Sequence, residues 1–259
     1  MPHPAPVSAR RLILSALGLS LIGAGATALA GPLDWIKGGE GVAGNGSIKQ
    51  QRRTPGHFTG VALLLPGSVE LRLAATDDIL IETDDNLLPL IETVVENGVL
   101  QIRPTKRNTN LRTRTMKFVI QARELNRLTV GGAGLIAADL IKGPQLQCNI
   151  EGSGTIELRR VETGALTVNI AGSGDFSAAA GTTGTLAVSI GGSGDVELTH
   201  LTAQDAKVSI AGSGDVRLAV RGKLDASIAG SGDITYFGDP KVSRSVAGSG
   251  EITRGGPIR

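Results

Sequence analysis

Four aspartates follow Gly-Ser-Gly triplets at a fixed position, as in the stretches VNIAGSGDFS, VSIGGSGDVE and VSIAGSGDVR. They are Asp175, Asp195, Asp215 and Asp233. If these positions stack at the ~4.8 Å spacing of neighbouring strands, their like charges repel and something must offset the repulsion. The sequence favours hydrogen bonds from backbone N–H groups close to each turn. The alternatives are a ladder of bound cations such as calcium, which binds carboxylate oxygens, and a ligand-binding face.

Residue patterns typical of catalysis are missing from the sequence. It shows no Ser-His-Asp arrangement, metal-ligand spacing or phosphate-binding loop, and His57 and His200 are isolated. Cys148, the sole cysteine, stands where other repeats carry Val, so we expect a buried hydrophobic side chain. We therefore expect no catalytic residue and no cofactor. A carbohydrate-active enzyme remains the alternative, because β-helices carry lyases and glycosidases that use paired carboxylates.

Residues 103–117 (RPTKRNTNLRTRTMK) form a basic segment without an acidic residue. Such a segment attracts polyanions, but no aromatic residue is interleaved, so stacking on nucleic-acid bases is not indicated. Acidic residues occur nearby within 77–85, and the sequence favours a solvated loop, or pairing with those acids, over a dedicated polyanion patch. The residues of the patch are Arg103, Lys106, Arg107, Arg112, Arg114 and Lys117.

The Gly-Ser-Gly triplets recur with spacings of 20, 20, 20, 18 and 18 residues, and Gly132-Ala133-Gly134 is a weaker copy. Apolar residues alternate with polar or small ones on both sides of each triplet, which indicates strands. Bends between strands need backbone angles that side chains penalise, which explains the glycines. These structural glycines are Gly152, Gly154, Gly172, Gly174, Gly192, Gly194, Gly212, Gly214, Gly230, Gly232, Gly248 and Gly250.

A repeat of this length cannot bury its own apolar face and must stack on its neighbours. The sequence therefore predicts an all-β fold, a single-stranded parallel β-helix (solenoid) with ~20-residue coils. We expect one domain over residues 48–254, with regular coils over 128–254 and irregular N-terminal coils before them. An antiparallel sandwich or barrel is the competing fold. Hydrophobic residues make up 41% of the chain and aromatics 2%, so the core must consist of Val, Ile, Leu and Ala.

The N-terminus has the features of an export signal. Arg10 and Arg11 precede the apolar run LILSALGLSLIGAG, and Ala28-Leu29-Ala30 fits a cleavage site. The sequence predicts a signal peptide over residues 1–30, with an uncleaved anchor helix as the alternative, and a Gly-rich flexible linker over 31–47. Cleavage leaves 24 basic and 24 acidic residues, so net charge indicates no class of partner. We expect export to the periplasm or cell surface, without a membrane span after cleavage.

IAGSGDV-type repeats preceded by DILIETDDNLLPLIETVVENGVLQI and an export signal resemble the bacterial family called putative auto-transporter adhesin, head GIN domain. The resemblance covers residues 48–254 and implies an exported β-helical protein without catalytic residues to carry over. We expect a non-enzymatic cell-envelope or surface protein, adhesin-like or a scaffold, that binds a cell-surface protein or glycan. The alternatives are a polysaccharide lyase or hydrolase and a calcium-stabilised binding module.

Overall fold

The computed structural model describes residues 41–107 and 109–258, and these residues form an all-β fold. The predicted signal peptide (1–30) and residues 31–40 of the predicted linker lie outside the described residues. The strands of the N-terminal part are β1 Gly41–Ala43, β2 Ile48–Arg53, β3 Gly60–Leu63, β4 Ser68–Leu73, β5 Asp78–Asp84, β6 Ile91–Glu96, β7 Val99–Pro104, β8 Asn110–Arg112 and β9 Met116–Ala122. A 3₁₀ turn, Leu88–Leu90, connects β5 to β6.

The repeats form a second series of strands. These are β10 Arg127–Gly132, β11 Leu135–Ala138, β12 Ile141–Gly152, β13 Thr155–Leu158, β14 Val161–Gly172, β15 Asp175–Ala178, β16 Gly181–Gly192, β17 Val196–Gly212, β18 Val216–Gly230, β19 Ile234–Phe237, β20 Lys241–Gly248 and β21 Ile252–Gly256. Bends at the triplets separate β12, β14 and β18 from the short strands β13, β15 and β19 that follow them, whereas β17 and β18 each run from one triplet to the next without a break. The part of the chain that the structure describes contains no helix with the length and hydropathy of a membrane span.

Every coil of the repeat region pairs in parallel with the next one, and equivalent residues lie side by side. In the pairing of β12 with β14, Ile150 lies beside Ile170, and the triplet glycines match in the same way. This register continues through β16, β17, β18 and β20. The predicted parallel β-solenoid with ~20-residue coils is confirmed, and the antiparallel sandwich or barrel is wrong for this region.

The N-terminal strands stack on the same solenoid, but the chain does not visit them in simple order. β3 lies between β10 and β7, and β4 lies between β11 and β9, with all four pairings parallel. β5 instead pairs antiparallel with β2 and β9, and β6 pairs antiparallel with β7. The N-terminal coils are irregular, as the sequence predicts. The chain between β4 and β10 doubles back, so that β7 and β9 pair with the edge of the β3–β4 coil that faces away from β10 and β11.

A tight hairpin accounts for one of these antiparallel pairs. Asn97 and Gly98 connect β6 to β7 with φ angles of 51° and 76°. Positive φ at both central residues defines the type I′ turn, which is favoured in hairpins with two-residue loops, and Asn-Gly is its preferred sequence. The turn therefore directs β7 back along β6 and sets its register.

A continuous hydrophobic core runs from Phe58 to Ile252 along the inside of the solenoid. Stacked Val, Ile and Leu side chains fill the repeat region, each contributing about 1.5–3 kcal/mol when fully buried. Phe58 and Phe118 pack in the irregular part, where inward positions do not repeat. Cys148 is fully buried with a free thiol whose pKa is raised by burial, as the hydrophobic interpretation predicts.

Part of the predicted linker is ordered. β1 pairs in parallel with β8, and the N–H of Gly44 donates to the carbonyl of Arg112 over 2.8 Å. Asn45 bonds to the carboxylate of Asp85 through its side-chain amide, at 2.6 Å. The flexible linker is therefore wrong for residues 41–47, because these contacts with the body of the domain hold the glycine-rich segment in place.

Candidate functional site

The repeated aspartates form a hydrogen-bonded ladder that connects successive coils. The Oδ1 atom of Asp175 accepts from the backbone N–H of Asp195 at 3.1 Å, and the Oδ1 atom of Asp195 accepts from the N–H of Asp215 at 2.9 Å. The next two steps measure 2.9 and 2.8 Å and end at the N–H of Glu251. Each negative charge thus faces a backbone dipole of the following coil, which offsets the repulsion along the column.

The ladder changes the shape of the corners that it joins. Thr155 lies below Asp175 in the column, and the N–H of Asp175 bonds to the carbonyl of Gly154 at 3.1 Å. In the next coil, an aspartate, Asp175, lies below Asp195, and its carboxylate accepts the N–H of Asp195 in place of a backbone carbonyl. The strand after that corner, β17, begins at Val196, one position later in the repeat than β15, which begins at Asp175. The predicted backbone hydrogen bonds are present, with one correction: the donor belongs to the next coil and not to the turn that carries the aspartate.

Close stacking requires glycine at both the first and the third position of each triplet, and the first position also needs an unusual backbone angle. A Cβ atom at the first glycine Gly172 would lie 2.3 Å from the carbonyl oxygen of Gly152 in the coil below. The first has a positive φ, +113° at Gly152 and +140° at Gly248, which only glycine adopts without strain. The third does not have a positive φ, and there the explanation from backbone angles is wrong. At Gly154, a Cβ atom would lie 2.8 Å from the carbonyl oxygen of Gly134 in the coil below. The third glycines are required because the stacked backbones approach one another too closely for a side chain.

A groove lies beside the aspartate ladder, where the repeat length changes from 20 to 18 residues. The pairing of β17 with β18 shifts between Leu198 and Thr202, so that the corner carrying His200 is longer than the matching corner of the next coil. The cavity there has a volume of about 480 Å³. It is lined by Glu197, Thr199, His200, Arg217, Thr235 and Phe237.

A second cavity, of about 270 Å³, adjoins this one along the ladder. It is lined by Asp195, Val196, Glu197, Asp215 and Arg217, so Glu197 and Arg217 belong to both cavities. We call the two cavities together the lateral groove. The sequence analysis missed it, because its residues come from three different coils, although the shortened spacing after Gly212 marked the level at which it lies.

Two neighbouring residues, Thr199 and Arg217, contact the Glu197 carboxylate in the lateral groove. The Glu197 carboxylate accepts from the N–H of Thr199 at 3.0 Å and from the Thr199 hydroxyl. Its other oxygen lies 3.9 Å from a guanidinium nitrogen of Arg217. The Phe237 ring lies over Gly255, where a Cβ atom would come within 2.6 Å of it. The groove therefore combines a carboxylate, a guanidinium, an imidazole and an aromatic ring across three neighbouring coils.

The basic segment does not act as one patch. Arg103 on β7 bonds to Glu92 at 2.8 Å and to Glu96 at 2.7 Å, and these hydrogen bonds raise the pKa of its guanidinium. The ammonium group of Lys117 lies 3.1 Å from the carboxylate of Glu70. Pairing of basic residues with acids is therefore correct for these two residues, but their partners lie outside the acidic stretch 77–85 that the sequence suggested.

The other four basic residues of the segment are exposed: Lys106, Arg107, Arg112 and Arg114. Arg112 and Arg114 line two cavities, of about 560 and 740 Å³, on either side of residues 112–115. Within one run of sequence, Arg103 and Lys117 are thus paired with glutamates, whereas Arg112 and Arg114 line cavities without a carboxylate partner among the described residues.

Asp77 is buried in an ion pair that the sequence analysis did not identify. Arg123 holds it with Nε at 2.8 Å and its backbone N–H at 3.0 Å, and Nδ1 of His57 lies 2.9 Å away. Burial would raise the pKa of Asp77, but the hydrogen bonds from Arg123 and His57 outweigh burial and lower the pKa to about 2. This cluster ties the start of the domain to the end of β9 and lines none of the cavities described above.

Comparison with known proteins places the fold among bacterial adhesin-like domains. The family model described as putative auto-transporter adhesin, head GIN domain, matches residues 57–240. A putative adhesin from Bacteroides fragilis is 24% identical, with a TM-score of 0.76 over 82% of this chain and 99% of that one. A putative lipid binding protein from Parabacteroides distasonis is 25% identical, with a TM-score of 0.69 over 83% and 99% of the two chains. No curated protein matches the chain.

Proposed function

Because the chain belongs to the family of putative auto-transporter adhesin head GIN domains, we propose that it is an exported, non-enzymatic adhesin-like protein that binds a glycan through the lateral groove. The apolar run behind Arg10 and Arg11, followed by Ala28-Leu29-Ala30, supports export to the cell envelope or surface. A solenoid supports the binding role, because its stacked coils present a long rigid surface that extends along the molecule.

The residues that line the lateral groove are the observation that favours a glycan as the ligand. Sugars present hydroxyl groups that bond to carboxylates and guanidinium groups, here Glu197 and Arg217. Sugars also present a C–H face that packs on an aromatic ring, and Phe237 supplies the ring. Apart from Phe237, the aromatic side chains of the described residues are buried in the core. Phe237, the one half-exposed aromatic residue among the described residues, thus lies in the same groove as Glu197 and Arg217.

Glycan-array screening of the mature domain tests this proposal, followed by calorimetry on each glycan that binds. We expect saturable binding that Glu197→Gln and Arg217→Met each weaken by about tenfold or more. Asp225→Asn is the matched control, because Asp225 is exposed on a different face of the solenoid and should leave affinity unchanged. Absence of any glycan binding, or binding insensitive to both groove variants, would contradict the proposal.

A carbohydrate-active enzyme is the second candidate, because acidic residues, His200 and Arg217 meet where the repeat is broken. Against it, the Glu197 side chain is 49% exposed and already accepts hydrogen bonds from Thr199. General acids of glycosidases are kept protonated by apolar burial, which Glu197 lacks. Incubation with neutral and uronate-containing polysaccharides distinguishes the two: new reducing ends or unsaturated uronates would establish catalysis, and intact polymer is the expected result.

A further inference from the structure

We propose that Arg112 and Arg114 form a binding site for a tetrahedral oxyanion, the phosphate or sulfate group of a larger ligand. The site is the cavity of about 560 Å³ between the β3–β4 turn and the segment that joins β8 to β9. It lies in the irregular N-terminal part of the domain, and its residues differ from those of the lateral groove. The proposal therefore stands independently of glycan binding there.

The lining of this cavity selects for an anion. Three basic side chains line it, those of Arg112, Arg114 and Lys117, of which Lys117 is paired with Glu70, and its walls also carry the hydroxyl groups of Ser68 and Thr115. No aspartate or glutamate is among the described residues that line it. Guanidinium groups bind the oxygens of phosphate and sulfate through paired N–H donors, and hydroxyl groups complete such a shell.

The charges of the two arginines are available to a ligand. Both side chains are exposed, and among residues 41–107 and 109–258 neither has a carboxylate within ion-pair distance. Arg103 and Lys117, from the same basic segment, are by contrast paired with glutamates. At the cavity wall, Arg112 and Arg114 therefore carry positive charges that no described carboxylate compensates.

The backbone that carries the arginines is fixed in advance. The buried carboxylate of Asp84 accepts from the N–H of Gly46 at 2.5 Å and from the hydroxyl of Thr113. The same hydroxyl accepts from the N–H of Thr115 at 3.0 Å, which closes the turn around Arg114. Pairing of β8 with β1 holds Arg112 from the other side. A preorganised segment binds its ligand without the cost of ordering a loop.

Calorimetric titration with inorganic phosphate, inorganic sulfate and a sulfated heparin oligosaccharide tests the site. We expect saturable binding of at least one probe, and a loss of about tenfold or more in affinity for the double variant Arg112→Gln/Arg114→Gln. The matched control is Lys106→Gln/Arg107→Gln, which removes two exposed charges from the same segment outside the cavity and should change affinity less than twofold.

The choice of probe separates the sources of the oxyanion. Binding of the free ions indicates a small-molecule anion, whereas binding of the oligosaccharide alone indicates an ester on a polymer. Equal losses in the two double variants would reduce the effect to general charge attraction and overturn the proposal. Circular dichroism checks that the variants in this comparison are folded. The absence of saturable binding of all three probes to the unmodified protein would also overturn the proposal.

Discussion

The Asp195 carboxylate accepts a hydrogen bond from the backbone N–H of Asp215, one coil further along the solenoid, at 2.9 Å. The same contact repeats along the column and connects coils through side chains, in addition to the backbone pairing of the strands. A column of like charges that would otherwise repel is thereby converted into a series of contacts between coils.

Removing one carboxylate from the ladder should return the next corner to the geometry seen at Asp175. We expect Asp195→Ala to destabilise the domain by about 1 kcal/mol, because the N–H of Asp215 loses its hydrogen-bond acceptor. The corner must rearrange before this N–H can donate to the carbonyl of Gly194 instead. Asp195→Asn retains an acceptor oxygen and should cost less than about 0.5 kcal/mol. Denaturant unfolding, with hydrogen exchange at Asp215, measures both. Equal effects of the two variants would show that charge, and not the acceptor, is what matters.

A side chain at a third-position glycine should be much more harmful than one on the outer face. We expect Gly154→Ala to cost about 1–3 kcal/mol, because its Cβ atom would press on the carbonyl of Gly134. Gly191→Ala is the matched control, since its Cβ atom would lie 3.8 Å from the nearest described atom, the carbonyl oxygen of Ile170. Thermal unfolding compares the two variants, and similar midpoints would refute the close-packing explanation.

A charge within the core should disrupt several coils at once. Ile190 is 1% exposed, and we expect Ile190→Asp to destabilise the domain by at least about 3–5 kcal/mol, because the carboxylate is buried without a partner. Ser189→Asp places the same charge one residue earlier on the exposed face and should change stability little. Chemical denaturation followed by circular dichroism is the measurement. A cooperative transition near that of the wild type for Ile190→Asp would contradict the inward register.

Asp77 should contribute stability that depends on pH. Its pKa falls from about 3.9 in the unfolded chain to about 2 in the folded domain, so its stabilising effect is complete above the higher value and is lost as pH falls towards the lower one. We expect Asp77→Asn to flatten the dependence of the unfolding free energy on pH across this interval. Asp139→Asn, at an exposed ion pair, should retain the profile of the wild type. An unchanged profile in Asp77→Asn would argue against the buried pair.

Calcium should not be required for stability. Within residues 41–107 and 109–258, no three His, Cys, Asp or Glu side chains are placed to hold a metal ion, and one oxygen of each ladder aspartate already accepts an N–H. We expect the thermal midpoint to be the same with a chelator and with added calcium. A ligand that binds the native state raises the thermal midpoint. A midpoint that falls with the chelator and recovers with added calcium would therefore support cations bound along the aspartate column.

The regular part of the fold was predictable because its signals repeat. Triplets such as those at Gly172 and Gly192 fix the phase of each coil, and alternation around Ile170 fixes which side chains point inward. The N-terminal topology was not predictable in this way, because alternation identifies a strand without distinguishing a parallel partner from an antiparallel one. Only the Asn97-Gly98 turn carried a local signal for a hairpin.

The candidate sites were predictable to a smaller extent. The spacing of Asp175, Asp195 and their counterparts revealed the column, but the direction of its hydrogen bonds depends on the rise from one coil to the next. The lateral groove brings together Glu197, Arg217 and Phe237 from separate coils, and such contacts have no local sequence pattern. The role of the basic segment was ambiguous because the glutamate partners of Arg103 and Lys117 follow from strand pairing and not from proximity along the chain.

The position of the β3–β4 coil has a consequence for synthesis of the chain. Its neighbours on one side, β7 and β9, extend to Ala122, and those on the other side, β10 and β11, extend to Ala138. During synthesis from the N-terminus, both strand edges of this coil stay unpaired until the neighbouring strands on each side have left the ribosome. The part of the domain up to Ala138 must therefore close as a unit, whereas every later coil can add to an edge that already exists.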